Sequence, residues 1–104
     1  MEDNVPAYKN NNFIREKMVY CLVQMDEIEI FGLREEDKNN VSFALDLVRM
    51  MFEARENKVI RNLITRSRTS FNLFAHQGKK NELAKSIKYL EKVICIFNKE
   101  TNYN

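Results

Sequence analysis

Residues 81–97 read NELAKSIKYLEKVICIF. Leu83, Ile87, Leu90, Ile94 and Phe97 recur in steps of four and three. That spacing puts five large apolar groups on one stripe of an α-helix. Asn81 stands just before the stripe, where its side chain suits an N-cap. Upstream, the same spacing appears three more times. Ile14, Met18, Cys21, Met25 and Ile28 form one stripe; Val41, Leu45, Val48 and Phe52 a second; Ile60, Ile64, Ser67, Phe71 and Phe74 a third.

The segments are separated by breaks of recognisable chemistry. Gly32 suits a helix end because it accepts positive φ. A loop over 33–40 is expected to follow, with Glu35, Glu36 and Asp37 near the positive end of the next helix. Arg55 falls on the apolar stripe of the second segment, so that helix is expected to stop or bend around 54–57. His76 to Gly78 end the third segment, and Asn11 or Asn12 is placed to cap the first. Four stripes of one period, joined by short connections, predict an all-α antiparallel up-down four-helix bundle. The alternative is a three-helix bundle with helices two and three fused across 54–58. The domain organisation expected is a flexible N-terminal tail over 1–11, a single helical domain over 12–98 and a flexible C-terminal tail over 99–104.

Composition supports this class. The chain has 104 residues, two glycines and one proline. All-β folds need turn residues every 8–12 positions, and two isolated glycines cannot build a phosphate-binding loop. The longest apolar runs, 18–23 and 93–97, fall far short of the roughly 18 residues a membrane span requires. The opening Met1-Glu2-Asp3-Asn4 has neither the basic nor the apolar character of a secretory signal. Cys21 and Cys95 form no CxxC pair, so free thiols in a reducing, cytoplasmic setting are the expectation.

The net charge of +2 conceals a split. Residues 1–57 carry seven Lys/Arg against twelve Asp/Glu, a balance of −5; residues 58–104 carry ten against three, a balance of +7. Lys58, Arg61, Arg66, Arg68, Lys79, Lys80, Lys85, Lys88 and Lys92 are expected to form a basic face on the C-terminal helical hairpin. Such a face has three readings: a solvated surface offsetting the acidic half, a nucleic-acid contact, or a dock for an acidic protein. No base-reading motif accompanies it. A second set of residues is apolar but off the stripes: Val19, Val23 and Ile30 on helix one, Leu47, Met50 and Ala54 on helix two, Tyr89, Val93 and Ile96 on helix four. At helical spacing these edges suit a protein partner or a second copy of the chain.

Catalytic chemistry finds no foothold. His76 is the single histidine and suits a helix C-terminus. Cys21 lies on a core stripe. Cys95 falls nearer Lys88 than the seam, which points to partial exposure. Ser67 is mid-helix, where a hydroxyl commonly bonds its own helix carbonyl. Glu35-Glu36-Asp37 is the one acidic cluster and suits a helix N-terminus better than a metal. No catalytic residues, cofactor, metal site or small-molecule substrate are expected. The expectation is a non-enzymatic interaction or regulatory module, self-associating or bound to a protein partner, with nucleic-acid binding through the basic face as the alternative.

Overall fold

In a computed structural model, residues 5–102 are described, and they fold as four helices: α1 (Asn11–Phe31), α2 (Glu35–Ala54), α3 (Lys58–Gln77) and α4 (Lys80–Glu100). A 3-10 turn at Ala7–Lys9 precedes them and packs against α1 and α2. Connections of two or three residues force successive helices to be antiparallel neighbours. Contacts run α1·α2, α2·α3, α3·α4 and α1·α4, so the ring closes and the diagonal pairs stay apart. This is the expected four-helix bundle, and helices two and three are separate.

Each break has a local cause. Asn10, rather than Asn11 or Asn12, caps α1, its side chain accepting from the Phe13 N–H at 3.0 Å. Gly32, at φ 94°, ends it. The expected loop over 33–40 is shorter than its polarity suggested, because Glu35, Glu36 and Asp37 form the first turn of α2. Asp37 is buried there and accepts from the Arg34 backbone N–H at 2.9 Å. Between α2 and α3 the chain turns at Glu56, at φ 59°, and Asn57 caps α3 by accepting from the Ile60 N–H at 3.1 Å. Gly78, at φ 69°, closes α3. α4 then begins at Lys80, so Asn81 lies inside its first turn instead of capping it.

The tails also differ in extent. Asn11 belongs to α1, and α4 continues through Glu100, two residues past the expected domain end at 98. Residues 1–4 and 103–104, parts of the two expected tails, lie outside the described residues.

The core is built from the four stripes. Ile14, Met18, Cys21, Met25, Val41, Leu45, Val48, Phe52, Ile60, Ile64, Phe71, Leu90 and Phe97 are all fully buried. Phe97 meets Phe52 edge-on at 5.5 Å, and the guanidinium carbons of Arg15 and Arg55 lie 5.2 and 5.4 Å from its ring centre. Arg55 also donates to the Tyr8 carbonyl and to Asn11, which ties the 3-10 turn and the start of α1 to the end of α2.

Two stripes are rotated from their expected setting. On α4 Val93 is fully buried and Ile94 only half-buried; on α3 Ala75 is buried and Phe74 half-buried. The cause lies in the α3–α4 contact. Ser67 and Ser86 are buried between these helices, and each hydroxyl donates to the other residue's main-chain carbonyl, at 2.9 and 2.7 Å. Ser67 therefore bonds across the interface, not back along its own helix. Small side chains at this crossing bring the backbones close and turn Val93 inward. Val93 is thus a core residue, and its expected place on a protein interface is corrected.

Candidate interaction surfaces

On α1, the angular spacing of 100° per residue puts Val19, Val23 and Ile30 within about 40° of one another, opposite the buried stripe. All three are exposed, Ile30 by 72%. Glu16 and Glu27 flank this strip on one side and Asp26 on the other. All three carboxylates are exposed, and none forms an ion pair among the described residues. A shallow hollow lined by Asn12, Arg15, Glu16, Val19, Tyr20 and Val23 runs along the same face. The α2 edge is mixed: Met50 is exposed, whereas Leu47 is half-buried against the core.

Five exposed apolar residues are not among those expected from the sequence: Val5, Tyr20, Phe31, Phe43 and Val59. Phe43 had a usable signal, since it stands four residues before Leu47 and extends the Leu47–Met50–Ala54 row. Phe31 sits beside Gly32, where a helix end gives no face to count from. Val59 is the second residue of its helix and off its stripe.

The nine basic residues do not share one face. Arg68 points toward α2, its Nε 3.8 Å from an Asp46 carboxylate oxygen. Ser42 on α2 also reaches Asn72 of α3, at 2.5 Å. Arg61, seven residues before Arg68, lies on that same α2 edge. Arg66 belongs to the opposite edge. It is four residues from Ser70, which is buried on the side of α3 that faces Glu82 of α4. Lys85, Lys88 and Lys92 project outward from α4, and Lys79 and Lys80 sit at the hairpin turn. Lys85 pairs with Glu82 at 3.1 Å. Hydrogen bonds from Lys85 and then Ser70 hold the Glu82 carboxyl below the usual carboxylate range. Lys58, Arg61, Arg66, Lys79, Lys80, Lys88 and Lys92 form no ion pair among the described residues. Arg68–Asp46 is the one ion pair among the described residues joining the acidic and basic halves. The charge split is therefore a property of the folded surface.

Between Arg66 and the α4 lysines, the line where α3 packs against α4 is apolar, an interhelical furrow in that sense alone. The Ser67–Ser86 pair fixes the antiparallel register. That register sets Leu63 level with Tyr89 and Val59 level with the Val93–Ile96 turn. Leu63, Tyr89 and Ile96 are half-buried and Val59 is exposed. Tyr89 and Ile96, expected at an interface, thus line this furrow.

The remaining polar candidates are placed simply. His76 is exposed in the last turn of α3. Cys95 is exposed, while burial pushes the Cys21 thiol up to about 12. Among the described residues, no group of three or more His, Cys, Asp and Glu is arranged to hold a metal ion, and no helix is long and apolar enough to cross a membrane.

No protein-family model, no curated protein and no solved structure matches this chain. Fold and surface together define its class: a four-helix bundle whose two hairpins carry opposite charge.

Proposed function

We propose that the protein is a non-enzymatic interaction module that works by self-association. The observation that carries this reading is the outer face of α1, where Val19, Val23 and Ile30 stand exposed between carboxylates that form no ion pair among the described residues. Apolar surface of this kind is favourable to bury, at roughly 25 cal/mol per Å². The bordering charges select the partner and speed the encounter. A cytoplasmic, reducing setting belongs to the same proposal, since Cys21 and Cys95 are both free thiols.

Sedimentation velocity from about 5 to 200 μM in low-salt buffer tests it. The weight-average mass should rise with concentration, and Val23→Asp, which puts a carboxylate in the strip, should return the protein to monomer. A wild-type protein that stays monomeric to 200 μM refutes the proposal.

A second reading rests on the seven cations that form no ion pair among the described residues: binding of RNA or DNA along α3 and α4. Phosphate contacts release counterions, so affinity should fall steeply with salt. Retention on heparin that ignores salt, or is missing at low salt, excludes it.

A further inference from the structure

The proposed self-association leaves open which surface meets which, and the charges decide between the arrangements. On one side of the molecule the α1 strip of Val19, Val23 and Ile30 is bordered by Glu16, Asp26 and Glu27. On another, the α3–α4 furrow of Val59, Leu63, Tyr89 and Ile96 is bordered by the exposed Arg66 and Lys92 and by the Lys85–Glu82 ion pair, a net positive edge. One is a convex helix edged with carboxylates, and the other is a groove between two helices edged with cations. A helix laid into a groove between two others is a recurring mode of recognition. Pairing α1 with α1 of a second copy would bring carboxylates against carboxylates, and pairing furrow with furrow would bring cations together. Like charges juxtaposed at an interface oppose association. Only the crossed combination joins unlike charges and covers both apolar surfaces.

We infer that the protein associates head-to-tail, the outer face of α1 of one copy seated in the α3–α4 furrow of the next. This rests on the self-association reading above. The contact is heterologous, since each copy contributes a different surface, so it extends into a ring or a chain of copies rather than stopping at a two-fold dimer. Within the chain the two surfaces belong to different hairpins, so one copy offers both at once.

Charge swapping tests the arrangement. One variant reverses the strip's border (Glu16→Lys, Asp26→Lys, Glu27→Lys), and another reverses the furrow's border (Arg66→Glu, Lys92→Glu). All five positions are exposed, and far-UV circular dichroism checks that both variants keep the helical signal. By sedimentation velocity each variant alone should associate roughly tenfold more weakly than wild type or worse. Mixed in equal amounts, they should regain assembly, because each reversed border then meets its reversed counterpart. A single chain carrying all five changes should likewise assemble.

If the furrow variant associates as well as wild type, the head-to-tail arrangement is overturned while self-association stands, as an α1-to-α1 contact predicts. If the mixture stays monomeric where wild type assembles, the arrangement is again overturned. A wild type that is monomeric throughout refutes both claims. Salt-sensitive binding to a labelled duplex by that monomer would then assign the furrow's cations to nucleic acid.

Discussion

Replacing Ser86 by valine should destabilise the bundle more than replacing it by alanine, although valine is the more apolar side chain. Ser86 is fully buried, with its hydroxyl 2.7 Å from the Ser67 carbonyl, 2.9 Å from the Ser67 hydroxyl and 3.4 Å from Met25 Sδ. Alanine removes one donated hydrogen bond, worth about 1 kcal/mol net. Its better helix propensity returns up to about 0.5 kcal/mol. The Ser67 hydroxyl keeps its own bond to the Ser86 carbonyl. Ser86→Ala should therefore cost roughly 0.5–1 kcal/mol. Valine loses the same bond and also adds a second branch where α3, α4 and α1 already meet at contact distance. Overpacking of this kind typically costs about 1–3 kcal/mol, and the β-branch adds a few tenths in a helix. Ser86→Val should thus cost roughly 2–4 kcal/mol in total. Thermal or urea unfolding followed by circular dichroism reads the difference, since each kcal/mol moves Tm by roughly 4–8 °C in a domain near this size. A valine variant as stable as the alanine variant would refute the claim that small side chains set the α3–α4 approach.

Other outcomes follow from single contacts. Glu56→Gly should stabilise the protein by about 0.5–1 kcal/mol in urea titration, because the left-handed conformation costs an L-residue roughly 1–2 kcal/mol and glycine's looser unfolded chain takes part of that back; a loss of stability would show that the Glu56 side chain has a stabilising role of its own. Asp37→Ala should cost about 1 kcal/mol by the same assay, as the start of α2 loses its acceptor for the Arg34 N–H. In native buffer a thiol reagent should label Cys95 promptly and Cys21 only in denaturant; prompt labelling of both would contradict the burial of Cys21. The raised Cys21 value also fixes the sign of a pH effect. Between about 9 and 12 the unfolded chain loses the thiol proton that the folded chain retains. Stability then falls as pH rises through that window, and the fall attributable to the thiol should disappear in Cys21→Ala.

The helical stripes were legible because they depend only on the period of the chain. Ile14 to Ile28 and Val41 to Phe52 are buried as the spacing implies, and Gly32 and Gly78 end helices where their freedom at positive φ is needed. The start of α2 is not legible, because Glu35-Glu36-Asp37-Lys38-Asn39-Asn40 is polar throughout, and polarity does not distinguish a loop from an exposed helical turn. The interaction surfaces were half legible. Val19, Val23 and Ile30 lie diametrically opposite a full stripe and remain outside however the neighbours pack. Val93 sits at the margin of its stripe, where a small rotation of α4 changes it from surface to core.

By itself, then, the sequence determined the four amphipathic stripes, the helix ends at Gly32 and Gly78 and the opposite charge of the two halves. Tertiary structure alone decided that helices two and three are separate, which margin of each stripe turned inward, and which neighbouring helix each edge of α3 faces. The reason is geometric. Spacing along a chain fixes each side chain's angle about its own helix axis, but the inward direction is set by the neighbours. In α3 and α4 that direction was fixed by two buried serines small enough to let the backbones meet.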